Sequence, residues 1–186
     1  MEHFRLYGLI LVLLVLSSVI CRAEDSICVH DIDAMYRNKT LVTADPYKVG
    51  ITDFVTYTIT GGSSARFWTY SSSSFICICL PSKNDLVTTS KITNLKRVNF
   101  TYGPVNQDYL AGDSPTMQIM VSQDSIDWTD LSSIAVHGKA SAEVLLPDPG
   151  DYYLRIKNTG TESSKPIYIR TFEYKTQHCN CYQYQP

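Results

Sequence analysis

Hydrophobic and polar residues alternate over short stretches from residue 54 onward, and clusters of Gly, Ser, Pro, Asn and Asp separate these stretches. An alternation with a period of two turns one set of side chains toward each face of a β-strand. Nine strands are predicted, over residues 54–59, 66–70, 75–80, 95–102, 117–122, 131–136, 141–146, 151–156 and 166–174. No window of 11 or more residues shows a helical period with caps. The pattern therefore predicts an all-β sandwich of about eight or nine antiparallel strands.

One strand carries a candidate modification site on its polar face. In the strand at 95–102 the alternation places Val98, Phe100 and Tyr102 on one face and turns Arg97, Asn99 and Thr101 toward solvent. Asn99 begins the glycosylation sequon Asn-Phe-Thr, and Asn38 begins a second sequon, Asn-Lys-Thr. Both asparagines are therefore predicted glycosylation sites of a chain that enters the secretory pathway.

The N-terminus has the pattern of a secretory signal. An apolar run of 15 residues, Leu6 to Ile20, follows the basic Arg5 and precedes the small residue Ala23. This arrangement predicts a signal peptide over residues 1–23 and cleavage before Glu24. A membrane-spanning helix usually needs roughly 20 apolar residues, so an uncleaved anchor is the less favoured alternative. We expect a secreted, extracellular protein with no membrane insertion after cleavage.

Charge and length restrict the remaining chain. Residues 24–186 carry 14 Lys and Arg against 17 Asp and Glu, a net charge of −3. Nucleic acids and anionic membrane surfaces require clustered positive charge, so neither is an expected partner. The length suits a single domain. We predict an N-terminal arm over residues 24–49, a β-sandwich over 50–176 and a cysteine-containing tail over 177–186.

Five cysteines remain after removal of the signal: Cys28, Cys77, Cys79, Cys179 and Cys181. Disulfides are the default in an oxidising compartment. The two cysteines in the strand at 75–80 project from one face and can meet the pair near the C-terminus, while the N-terminal cysteine competes for a partner. We predict two bridges among the five, which leaves one thiol available for disulfide-linked self-association. A zinc site is a less favoured use of these cysteines, because structural zinc sites use longer spacings.

The order of the stretches resembles a known class of sandwich. LKRVNFTYG, MQIMVSQDSIDWTDL, AEVLLPDPGDYYLRIKNTG and PIYIRTFEY follow one another as in the galactose-binding-like jelly-roll β-sandwiches, which include discoidin-like and carbohydrate-binding modules. The resemblance covers residues 54–174 and implies a jelly-roll fold. It also implies that Trp128, after the turn, folds back onto the scaffold. The chain departs from the family pattern at Ser125, where the pattern has a glycine that supplies a positive φ.

Related sandwiches often hold a structural calcium, which takes six to eight oxygen ligands. The candidate ligands form two sets, one near the N-terminal strands and one in the turn before Trp128: Asp31, Asp33, Asp45 and Asp53, or Asp124, Asp127 and Asp130. Turn formation alone also explains isolated aspartates. No other cofactor is expected.

Sugar recognition requires an exposed aromatic ring flanked by polar side chains. Alternation in the strand at 66–70 places Arg66, Trp68 and Tyr70 on one face and Phe67 on the other, although the opposite facing would bury Trp68. A second candidate group lies in the long loop between two strands, because loops of that length are often functional. That group is Asn106, Gln107, Asp108 and Tyr109.

Catalytic motifs are missing from the sequence. Gly-x-Ser-x-Gly and His-Glu-x-x-His do not occur, and His30, His137 and His178 are scattered. The sequence therefore predicts a secreted, non-enzymatic module that binds a carbohydrate or a glycoprotein. The alternative is an extracellular matrix or coat protein, or a secreted factor that binds a protein partner.

Overall fold

The computed structural model describes residues 19–45, 47–70, 75–104, 114–160 and 165–183. The described residues form two compact units, a small one that contains residues 19–26 and 177–183, and a large one within Ile27–Thr176. The large unit contains the sandwich and the candidate site.

Strands dominate the described residues and confirm the predicted all-β class. The elements are β1 (Val19–Asp31), α1 (Ile32–Arg37), β2 (Val42–Ala44), β3 (Val49–Ile51), β4 (Thr56–Thr60), β5 (Arg66–Tyr70), β6 (Phe75–Leu80), β7 (Leu86–Thr89), β8 (Ile92–Gly103), β9 (Thr116–Ser122), β10 (Thr129–Ala135), β11 (Ala140–Asn158) and β12 (Ile167–Gln183). Within the described residues, no helix is long and apolar enough to cross a membrane.

The strands form two antiparallel layers that share one strand. Sheet A has the order β5–β6–β12–β8–β11, and β1 also pairs with β12. Sheet B has the order β2–β3–β4–β7–β11–β9–β10. Strands that are neighbours in space are often distant in sequence, so each layer is assembled from several parts of the chain.

Strand β11 passes from one layer to the other. Its first part, Ala140–Leu145, pairs with β8 in sheet A, and its last part, Tyr153–Asn158, pairs with β9 in sheet B. Its register shifts on either side of Gly150. Strands that change sheet do so through bends or bulges, and a segment containing two prolines and this glycine provides the corner.

The core between the layers is rich in aromatic rings. Phe172 pairs with Phe100 across β12 and β8, and its ring stacks on that of Tyr174 at 5.7 Å with an interplanar angle of 4°. Tyr57 of β4 reaches the same cluster from sheet B, with its ring 5.2 Å from that of Phe172. Contacts between aromatic rings stabilise a fold beyond the burial of their apolar area, so this cluster helps to determine how the two sheets pack on each other.

The segment predicted as an N-terminal arm contains secondary structure that the sequence pattern did not indicate. It contains a helix, and residues from Ile27 onward belong to the large unit. Ile32 and Leu41 are buried in the core. Asp31 caps α1 by accepting a hydrogen bond of 3.0 Å from the backbone N–H of Ala34. A helix of six residues and strands of three are too short to give a periodic signal, which explains why alternation did not detect them.

His30 anchors β1 to the core. It is 2% exposed, and its Nδ1 lies 2.6 Å from the hydroxyl of Tyr57, which accepts a 3.0 Å hydrogen bond from Tyr174. Its Nε2 lies 3.2 Å from the Cys28 sulfur. Burial lowers the pKa of His30 to about 4, so the ring is neutral at physiological pH.

Candidate functional site

The face of sheet A turned away from the core, here called the outer face, carries the candidate site. Strand register and burial assign its side chains. They are Arg66 and Trp68 on β5, Cys77 and Cys79 on β6, Tyr168, Arg170, Thr171 and Glu173 on β12, Arg97, Asn99 and Thr101 on β8, Ser141 and Glu143 on β11, and Val29 and Asp31 on β1.

An aromatic pair lies at the β5 end of the outer face. Phe67 is 2% exposed in the core, so Trp68 points outward, in agreement with the alternation in this strand. The Trp68 ring lies 5.6 Å from that of Tyr168, tilted by 41°. Arg66 is exposed on the same face, and the side chain of Tyr70 lies outside the described residues. The half-buried tryptophan and its arginine neighbour form the predicted aromatic and polar combination.

A polar groove of about 460 Å³ crosses the other end of the outer face. It runs over β8, β11 and β12, and Val29 and Asp31 of β1 form one wall. The hydroxyls of Thr101 and Thr171 are 2.6 Å apart in its floor. Its volume lies within the range of about 300 to 1,000 Å³ typical of small-molecule sites.

Charged groups in the groove are held in position by Arg97, which lies beside it on β8. The Arg97 guanidinium lies 3.1 Å from a Glu143 oxygen and 3.7 Å from a Glu173 oxygen. The Asn99 side-chain amide donates a 3.0 Å hydrogen bond to Glu173. Among the described residues, the buried Nε of Arg97 and Oδ1 of Asn99 have no hydrogen-bond partner. Both atoms are enclosed, so the polar groups that the groove presents to a ligand are the hydroxyls of Thr101 and Thr171 and the carboxylates of Glu143 and Glu173.

The aromatic pair and the groove lie on the same face of sheet A. Three strand spacings separate β5 from β8, through β6 and β12. At about 4.8 Å per spacing, Trp68 and Thr101 are about 14 Å apart along the sheet. A ligand of several linked units can span both ends, whereas a single small molecule can occupy one.

The cysteines on the outer face are buried thiols. Cys77 and Cys79 project from the same face of β6, as predicted, and burial raises the pKa of each thiol to about 12. Both are free, as is the half-buried Cys28, and no disulfide joins two cysteines whose side chains the structure describes. The side chains of Cys179 and Cys181 lie outside that part, so the two bridges stay a prediction.

The aspartate turn after β9 is held by its own backbone. The Asp124 carboxylate accepts hydrogen bonds of 2.8 and 2.9 Å from the backbone N–H groups of Ile126 and Asp127, and these bonds lower its pKa. Ser125 has φ 67°, so serine takes the positive φ for which the family pattern uses glycine. Asp124 thus acts as a turn residue.

Trp128 folds back onto β11. Its Nε1 donates a 3.2 Å hydrogen bond to the carbonyl of Ser125, and the Arg155 guanidinium carbon lies 3.6 Å from its ring centroid. Trp128 is half-buried, which leaves it less enclosed than a core tryptophan. This contact assigns Trp128 to the scaffold.

The two aspartate sets differ in their surroundings. Asp33 pairs with Arg37 at 2.9 Å and accepts a hydrogen bond from the backbone of Ile76, while Asp45 and Asp53 are exposed. Across the described residues, no three His, Cys, Asp or Glu side chains gather in a group that could hold a metal ion.

The structure describes one predicted glycosylation site, Asn38, but not the predicted loop site at residues 106–109. Residues 106–109 of the long loop lie outside the described residues, and Asn38 is exposed directly after α1. Sequence reasoning missed the groove as a site, although its outward positions were visible in the alternation of β8 and β12. The missing information was the strand order, which brings Asn99 against Glu143 on one side and Glu173 on the other.

Comparison with known proteins was made for sequence and for fold. No family model matches the chain, and no curated protein matches it. A variant of a family 29 carbohydrate-binding module complexed with mannohexaose is similar over 83% of this chain and 93% of its own, with a TM-score of 0.53 and 10% identity. Another family 29 module structure is similar over 83% of this chain and 90% of its own, with a TM-score of 0.50 and 10% identity.

A larger protein contains a similar region. The family two carbohydrate esterase from Cellvibrio japonicus is similar over 89% of this chain, with a TM-score of 0.47 and 10% identity. This chain spans 37% of the esterase's length. At such identities the family 29 likenesses establish the fold, and they confirm the jelly-roll β-sandwich expected from the sequence.

Proposed function

We propose that this protein is a secreted, non-enzymatic module that binds carbohydrate on the outer face of sheet A. The observation that carries the proposal is the aromatic pair of Trp68 and Tyr168 on the same face as the polar groove. Secretion is supported by the signal pattern over residues 1–23 and by the two sequons.

The chemistry of the outer face suits a sugar chain. An aromatic ring packs against the apolar face of a pyranose, and hydrogen-bonding groups recognise its hydroxyls. Thr101 and Thr171 can both donate and accept such bonds, while Glu143 and Glu173 can accept them. Because the ionic contacts of Arg97 already hold both carboxylates, little further ordering is required when a ligand binds.

The similar structures support the same class of ligand. A family 29 module is complexed with mannohexaose, an oligosaccharide of a length that suits an extended surface. The distance of about 14 Å between Trp68 and Thr101 likewise favours a chain of sugars over a monosaccharide.

A glycan-array screen of residues 24–186, produced without glycosylation, tests the proposal. We expect selective oligosaccharide binding that Trp68→Ala abolishes, with a loss of about 1 kcal/mol in the free energy of unfolding because Trp68 is half-buried. Trp128→Ala is the matched control, since this tryptophan packs on Arg155, and it should retain binding.

Two outcomes contradict the proposal. A blank array at high protein concentration would remove the carbohydrate function, and disulfide-linked dimers on a non-reducing gel would then favour the matrix or partner-binding alternative. Loss of binding in Trp128→Ala but not in Trp68→Ala would move the site away from the outer face. Repeating the screen with calcium and then with a chelator reports whether either aspartate set takes part.

A further inference from the structure

The sequon residue Asn99 lies inside the groove that we assign to the ligand. In β8 it faces Glu143 of β11 on one side and Glu173 of β12 on the other. It is half-buried and lines the groove together with Thr101, the third residue of its sequon. Asn38, the first residue of the other sequon, is exposed directly after α1, away from any strand.

The Asn99 side chain lines the groove, so a sugar attached to its nitrogen begins at the groove. Its nitrogen carries two hydrogens, and one of them is donated to Glu173 at 3.0 Å. The other hydrogen is the one that an N-linked glycan replaces. The amide oxygen of Asn99, Oδ1, is enclosed. Val29 and Ser141 line the same groove as Asn99.

We infer that an N-linked glycan on Asn99 lies in the groove and excludes an external sugar from it, so that glycosylation decides whether this end of the outer face can bind. The inference rests on the proposed function and on passage through the secretory pathway. A glycan on Asn38 projects into solvent and leaves the groove open.

The modification replaces one N–H hydrogen of Asn99. Nδ2 forms a bond to C1 of the first sugar and releases a proton. The bond from C1 to the diphosphate of the lipid-linked glycan donor breaks, and the lipid diphosphate is the leaving group. The second N–H remains and can keep the hydrogen bond to Glu173.

Two variants of the full chain, secreted from cultured eukaryotic cells, test this inference. Asn38→Gln leaves a glycan on Asn99 alone, and Asn99→Gln leaves one on Asn38 alone. Each folded protein is treated with an endoglycosidase that cuts between the two core sugars, and the treatment is repeated after unfolding. We expect the Asn99 glycan to be released about tenfold more slowly from the folded protein than from the unfolded protein, because the groove shields it. The Asn38 glycan should be released at equal rates.

A binding measurement on the same proteins completes the test. The unglycosylated chain and Asn38→Gln produced without glycosylation should bind the array, and Asn38→Gln that carries the Asn99 glycan should lose that binding. An unoccupied Asn99, equal release rates at the two sites, or full array binding with the Asn99 glycan in place would overturn the inference. If the unglycosylated chain also fails to bind, the proposed function fails, while the release rates still decide whether the glycan occupies the groove.

Discussion

At the scale of single residues, His30 is the most constrained polar side chain of the N-terminal segment. Its ring makes edge contacts with Phe54, Tyr57 and Tyr174, and both of its nitrogens have polar neighbours. Protonation would place a charge among these rings, with Cys28 and the two tyrosine hydroxyls as the facing titratable groups. The fold therefore depends on a neutral His30.

We expect acid to destabilise the fold through this histidine. The unfolded chain binds a proton at His30 near pH 6.5, whereas the folded chain keeps the ring neutral down to about pH 4. The unfolded state thus holds more protons in this window. The His30 contribution is fully present above pH 6.5, and it is lost, by up to about 3 kcal/mol, as the pH falls toward 4. Urea unfolding at a series of pH values measures this loss.

The control for this measurement is His30→Phe. It keeps a ring in the aromatic cluster and removes the proton-binding site, so the slope between pH 6.5 and 4 should become shallower, although stability at neutral pH is lower. An unchanged slope in the variant would assign the acid sensitivity to other groups.

The two buried cysteines of β6 give a second prediction at this scale. Burial raises the thiol pKa of Cys77 and Cys79 to about 12, so few thiolates form at neutral pH. An alkylating reagent, added without reductant, should modify both only after the protein is unfolded. Mass spectrometry of peptides locates the label. If either cysteine remains unlabelled in the unfolded protein, it is in a disulfide, as the sequence alone predicted.

Alternation was a reliable guide to which face a residue occupies, and a poor guide to its neighbours. Phe67 and Trp68 took the predicted sides because burial alternates within one strand. The contact of Asn99 with Glu173 joins residues 74 positions apart. Such a contact depends on strand order and register, which a single sequence does not contain.

At the scale of elements, α1 and β1 show why the N-terminal segment belongs to the domain. Ile32 of α1 is fully buried, and Asp33 accepts a hydrogen bond from the backbone N–H of Ile76 at the start of β6. The helix therefore covers the end of a strand of sheet A.

Substitution within α1 tests this assignment. Ile32→Ala should lower the free energy of unfolding by about 3 kcal/mol, because it removes methylene groups from a closed part of the core. Tyr36→Ala, at a residue that is 40% exposed on the same helix, should cost under about 1 kcal/mol. Urea denaturation compares the two. Equal small effects would restore the interpretation of this segment as a loosely attached arm.

The strands found by alternation and the elements it missed differ in length. β8, β9 and β11 have 12, 7 and 19 residues, enough for several repeats of the period. α1, β2 and β3 have six, three and three residues, and their packing against the rest of the chain determines their conformation.

At the scale of the whole molecule, the shared strand β11 couples the two sheets. β11 pairs with β8 in sheet A and with β9 in sheet B, so unfolding of one sheet also removes a strand from the other. We therefore expect the large unit to unfold in one cooperative transition. Trp68 reports on sheet A and Trp128 on sheet B. Trp68→Phe and Trp128→Phe each leave a single tryptophan, which reports on one sheet. In each variant, the midpoint of urea unfolding measured by fluorescence should coincide with the midpoint measured by circular dichroism. Separate transitions within one variant would show that the sheets unfold independently.

The position of β12 has a consequence for how the protein is made. This strand is the last of the described elements in sequence, yet it lies in the middle of sheet A, between β8 and β6. During synthesis, β8 and β6 emerge from the ribosome before β12, the strand that joins them. Until β12 is made, the edges of β8 and β6 that it will pair with remain unpaired. The outer face is therefore assembled last. Under the proposed function, a nascent chain cannot bind carbohydrate on this face until β12 has inserted, so binding would report that sheet A is complete.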